Sequence, residues 1–175
     1  LSIAVPFASY NPATELTTAD YDLYSYGEAE WINYKASNFS LSAGNGYLYA
    51  HNPTVTLRMR GTLNSGDFSQ TVSLDYEGSH ANLKGFNLLG NPTSHEITFS
   101  KTEHVSDGYY YLDDSENWVY TTSDIVPVGR GFLVKANAEG QTVTLNPQIG
   151  QKAETDDAYL CFSVGNEKVC INMDE

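Results

Sequence analysis

Short runs of alternating apolar and polar residues recur along the whole chain, each bounded by Gly, Asn, Asp or Pro, while helical spacing of apolar residues is hard to find. Alternation with period two places successive side chains on opposite faces of a strand. The pattern predicts strands near 21–26, 31–34, 46–50, 54–60, 69–76, 86–89, 96–99, 109–112, 118–121, 131–136, 142–145, 159–164 and 168–172. In the run 54–60, Val55, Leu57 and Met59 take one face, which leaves Arg58 and Arg60 to face solvent.

The pattern also repeats. Gly44-Asn-Gly-Tyr-Leu-Tyr-Ala-His-Asn52 followed by Thr54-Val-Thr-Leu57 returns as Gly129-Arg-Gly-Phe-Leu-Val-Lys-Ala-Asn137 followed by Thr142-Val-Thr-Leu145, at an offset of 85 that becomes 88. Upstream, Tyr24 and Trp31 match Tyr111 and Trp118 at an offset of 87, and Asn11-Pro12 echoes Asn91-Pro92. Two copies are too few for a solenoid. The expected fold is therefore all-β: a single β-sandwich domain over 1–175, jelly-roll-like, with internal pseudo-two-fold duplication. Its units are expected at about 1–84 and 85–150, followed by a C-terminal hairpin at 158–172.

Gly85-Phe-Asn-Leu-Leu-Gly-Asn-Pro92 resembles the Gly-Trp-Asn-Leu-x-Gly-Asn-Pro element of modules in large secreted and cell-surface proteins of Bacteroidetes bacteria. Trp31-Ile-Asn-Tyr-Lys35, Gly44-x-Gly-Tyr-Leu-Tyr49, Gly61-Thr-Leu-Asn-Ser-Gly66 and Pro127-x-Gly-x-Gly-Phe132 are similar to the rest of that pattern, in the same order. The chain departs from it in having Phe86 for Trp and Thr93 for an aromatic. The resemblance implies surface display within a larger protein, beside flanking domains, and carries no catalytic residues.

Composition narrows the partners. Twenty-two acidic against nine basic residues give a formal net charge of -13, which repels nucleic acid and anionic membranes. No apolar run approaches the length of a membrane helix, so membrane insertion is not expected. Residues 1–8 lack the basic flank of a signal peptide, and without an initiator Met the chain reads as a mature product or an excised domain.

Catalytic chemistry finds no constellation. A serine elbow is absent, and His51, His80, His95 and His104 lack the short spacings of zinc sites. The Gly129-x-Gly131 pair lacks a third Gly and a following helix, so both Gly-x-Gly copies read as tight entries into a strand. Asp113, Asp114 and Glu116 form an acidic turn that is either solvated or able to hold calcium; no other cofactor is expected.

Aromatics offer more. Positions aromatic in both copies (Trp31 and Trp118, Tyr24 and Tyr111, Tyr47 and Phe132) are expected in the core. Tyr26, Tyr34, Tyr109 and Tyr120 are aromatic in one copy only and become the candidate ligand platform, since exposed tyrosines stack on sugar rings.

Gly165-Asn166 signals a two-residue hairpin turn. That turn would set Cys161 directly across from Cys170, within reach of a disulfide, and put Leu160, Phe162, Val164, Val169 and Ile171 on the other face. A disulfide fits an exported protein; two free thiols are the alternative.

These features point to a non-catalytic structural or adhesion module, secreted or at the cell surface. Its expected partners are a host or environmental glycan or a surface protein. A carbohydrate-binding module using the exposed tyrosines is the alternative, and an enzyme stands third.

Overall fold

The computed structural model describes residues 1–12, 21–51, 56–59, 61–64, 67–78, 80–113, 115–148, 159–164 and 167–172; for 56–58 and the last two segments it describes the backbone alone. The chain is all-β. In order, its strands are β1 (Ser2–Ile3), β2 (Ser9–Tyr10), β3 (Tyr21–Gly27), β4 (Glu30–Asn33), β5 (Leu41–Ser42), β6 (Tyr47–His51), β7 (Thr56–Met59), β8 (Gln70–Ser73), β9 (Phe86–Gly90), β10 (Ile97–Lys101), β11 (Tyr109–Leu112), β12 (Trp118–Thr121), β13 (Ile125–Val126), β14 (Gly131–Lys135), β15 (Thr142–Pro147), β16 (Tyr159–Val164) and β17 (Glu167–Asn172).

The sheets repeat. One has the order β4-β3-β6-β1 and another β12-β11-β14-β9, and in each a hairpin pairs with the strand that follows Gly-x-Gly. Each packs its inner face on a second layer. In the first unit Ile3, Leu23, Tyr47 and Tyr49 meet Tyr10, Leu41 and Met59. In the second, Leu89, Tyr109, Phe132 and Val134 meet Ile97, Phe99, Val126, Val143 and Leu145. Each unit is thus a small sandwich with its own core. Full burial of such side chains contributes roughly 1.5–3 kcal/mol apiece.

Registers refine the repeat. Tyr24 pairs with Leu48, and Tyr110 pairs with Leu133, so Tyr24 corresponds to Tyr110 at an offset of 86 and not to Tyr111. Trp31 still corresponds to Trp118, because four residues separate the paired Tyr26 and Trp31 while five separate Leu112 and Trp118. The extra residue sits in the second hairpin's turn. Likewise, the pairs Ser2 with Leu48 and Leu88 with Leu133 put Pro6, not Pro12, in the place of Pro92.

Backbone bonds are exchanged reciprocally where the units meet. Ala4 N donates to Gly129 O at 2.8 Å, and Gly90 N donates to Gly44 O at 2.9 Å. Bridges Ile3 to Arg130 and Leu89 to Asn45 repeat the reciprocity. When residue i of one copy meets residue j of the other and j meets i, the contact has two-fold form.

This exchange explains both Gly-x-Gly motifs. Gly44 (φ 80°) and Gly129 (φ 64°) adopt the left-handed backbone that glycine takes without penalty. At the second glycine, a Cβ on Gly131 would lie 3.0 Å from Ile3 O, and one on Gly46 would run into Leu89 O.

Two elements cross the boundaries expected from sequence. β8 pairs with β15, and Leu74 lies in the second core, so the unit junction falls ahead of Gln70 instead of near residue 84. β16 and β17 form the expected hairpin with Cys161 opposite Cys170, and β17 then runs parallel to β7 of the first unit. The cysteine side chains, the expected faces of this hairpin, and the Arg58 and Arg60 side chains lie outside the described residues.

Candidate ligand cleft

Alternation along a strand sends one set of side chains to the core and leaves its neighbours on the opposite face. Leu23, Tyr109, Phe132 and Val134 take the core. Tyr26, Tyr110 and Leu133 therefore look outward, and with Trp31, Leu83, Phe86 and Trp118 they line an apolar cleft of about 300 Å³. Both units contribute.

Tyr26 pairs with Trp31 across the β3–β4 hairpin, with ring centroids 4.7 Å apart at 60°. Its hydroxyl donates to Leu83 O at 3.1 Å, and burial raises its pKa above the usual tyrosine value. Opposite, the Phe86 ring meets Tyr110 edge-on at 5.8 Å, and Tyr110 meets Tyr120 at 5.0 Å. These are favoured aromatic geometries, worth about 0.5–1.5 kcal/mol each. They hold the rings in place before any ligand arrives.

The tryptophans overturn one expectation. Trp31 and Trp118 retain 36% and 37% of their surface, so these shared aromatics are exposed, while Tyr47 and Phe132 are core as expected. A shared position marks a shared place in the repeat, and here that place is the outer face. The four candidate tyrosines divide. Tyr34 (5% exposed) and Tyr109 (4%) are buried in separate cores, Tyr109 with its hydroxyl donating to Ile125 O at 2.6 Å. Tyr26 lines the cleft, and Tyr120 is 45% exposed beside Tyr110. They form no common platform.

A second cleft, of about 480 Å³, is lined by Glu28, Glu30, Asp75, Glu77 and Glu139 together with Leu74, Tyr76, Gly78 and Gly140. Its geometry follows from the two-residue turn of the β3–β4 hairpin, where Glu28 (φ 51°) and Ala29 (φ 59°) are both left-handed. Such a turn matches the twist of the flanking strands. It rests on Gly78, where a side chain would strike Ala29.

In the acidic turn, Asp113 Oδ1 accepts from Ser115 N at 2.9 Å and Asn117 N at 2.8 Å, so this carboxylate organises the loop. Glu116 is left-handed (φ 63°), and Asp114 lies outside the described residues. Among the described residues no group of three or more His, Cys, Asp or Glu is placed to hold a metal ion. The histidines are dispersed: His80 Nε2 lies 4.0 Å from Glu30, His51 stacks on Tyr49, and His95 Nδ1 contacts Ser94 Oγ.

Family models, curated proteins and solved structures were compared with the chain, and none matches. Among the described residues no helix is long and apolar enough to cross a membrane.

Proposed function

We propose that this chain is a non-catalytic adhesion module of a secreted or cell-surface multidomain protein, holding an apolar segment of a protein partner in the Trp31–Trp118 cleft. One observation carries the reading: the two tryptophans, equivalent in the repeat, are each over a third exposed and converge on one cleft with five further apolar or aromatic residues. Tryptophan is enriched among the residues that anchor protein interfaces, and ligand sites are concave and mostly apolar. The lining supplies contact area and ring faces, with no carboxylate or imidazole among its seven residues. A sugar ligand is the second reading, favoured by the exposed Tyr120 ring beside Tyr110.

Labelled wild-type protein and the variants Trp31→Ala and Trp118→Ala, applied to peptide and glycan arrays, test the proposal. Wild type is expected to capture apolar peptides, and each variant to lose about 30-fold or more in affinity while staying folded, Trp31→Ala with a Tm lowered by the few degrees that its contact with Tyr26 contributes. Capture of glycans alone favours the second reading, and binding by both variants as tight as by wild type overturns the cleft.

A further inference from the structure

Resting on the reading of the cleft as a ligand seat, we infer that the partner is a cationic extended peptide, carrying an apolar anchor with Lys or Arg a few residues away. The two clefts lie on either side of a single hairpin tip. Tyr26 and Trp31 face the apolar one, and Glu28 and Glu30, the latter adjacent to Trp31 in the chain, line the acidic one. An extended peptide advances about 3.3 Å per residue, so one that holds its anchor in the first cleft and continues past the hairpin tip brings residues a few positions away to the second.

Charge selects among peptides of that shape. Five carboxylates line the second cleft; beside it Lys84 lies 3.7 Å from Glu77, and His80 Nε2 lies 4.0 Å from Glu30. The rest of the chain adds to the field, with 22 acidic residues against 9 basic. An acidic peptide would be repelled, and a basic one drawn in. The rings at both clefts already receive ammonium groups: Lys84 Nζ lies 4.3 Å from the Tyr76 ring centroid, and Lys135 Nζ lies 5.2 Å from that of Phe86. Those faces carry the chain's own cations, so the carboxylates of the second cleft are what a partner's lysine or arginine meets.

Three synthetic peptides test this by titration calorimetry against the whole protein: acetyl-Lys-Ser-Phe-Ser-Lys-amide, its counterpart with Glu for both Lys, and its counterpart with Ser for both Lys. The expected affinity order is Lys, then Ser, then Glu, with the Lys peptide weakening as salt rises from about 20 to 500 mM. The triple variant Glu28→Gln, Glu30→Gln, Glu139→Gln, at unchanged Tm, is expected to lose about three- to tenfold for the Lys peptide and nothing for the Ser peptide. Trp118→Ala should weaken all three. Equal affinity for the Lys and Ser peptides, or a triple variant that behaves as wild type, overturns the cationic partner while dependence on Trp118 leaves the cleft standing. Binding of no peptide, or binding indifferent to Trp118 and Trp31, overturns both.

Discussion

The Cβ of Ala4 lies 2.5 Å from the position a Cβ would take on Gly90. The two residues are equivalents in the repeat, so each meets its own counterpart where the units exchange backbone bonds. A residue that touches its equivalent lies beside the pseudo-two-fold axis, where space is shared and at least one side must be small.

Gly90→Ala should therefore destabilise by about 1–3 kcal/mol, the usual cost of overpacking. Ala4→Gly added to it should recover only part of the loss, because the new methyl would also stand 2.5 Å from Asn45 O. Denaturant midpoints of the two single variants and the double variant measure the coupling; strict additivity would remove Ala4 from the account.

Asn91, fully buried, shares its Nδ2 among His95 O (2.7 Å), Val126 O (3.2 Å) and Pro127 O (3.1 Å), and its Oδ1 accepts from Thr93 N at 2.8 Å. Asn91→Ala would strand these groups away from water. A loss of about 3 kcal/mol is expected from urea unfolding. In the first unit the same place is held by Val5, also fully buried, so no comparable polar loss follows from its truncation.

Strands of four or more residues were legible in the sequence because alternation needs about that length to register. The two-residue strands β1, β2, β5 and β13 carry no period of their own and exist through their partners. The repeat was legible from Gly-x-Gly and Trp, but its offset slipped by one at Tyr24, because the extra residue lies in a turn with no landmark. The cleft was not legible. It joins Tyr26 to Trp118 through the packing of two units, and similarity between copies says where residues correspond without saying which face they occupy.

The tryptophan placement is open to a direct check. Both Trp31 and Trp118 are partly exposed, so acrylamide should quench the whole emission. Iodide should quench it less, since the net charge of -13 repels the anion. A large unquenched fraction in acrylamide would place a tryptophan in the core.

Asp22 has its pKa lowered, first by the hydrogen bond from Asn33 Nδ2 at 3.0 Å and then by Lys35, 3.5 Å away. A carboxylate depressed by folding contributes stability above its unfolded pKa and loses it as pH falls through the folded value. The destabilisation by Asn33→Ala should accordingly be full at neutral pH and shrink below the ordinary value of 3.8. Paired urea titrations of variant and wild type from neutral to acid pH would show this, and a difference that does not change with pH would count against it.

Cys161 is the register partner of Cys170, and directly opposed residues of an antiparallel pair have Cα atoms about 4.5–5.5 Å apart, inside the range a disulfide spans. We propose that the bond forms in the native protein. Intact mass after alkylation without reductant should show no label, and labelling of two thiols in the freshly purified protein would refute it.

The parallel pairing of β17 with β7 returns the last described strand to the unit that contains β1. Pulled from residues 1 and 172, the molecule would take the load in the first unit at both points of attachment. The second sandwich sits in a closed loop between them, slack until β17 peels from β7 or β1 from β6. Stretching this segment should give ordered force events, with the release of β17 from β7 or of β1 from β6 coming before the second sandwich bears tension.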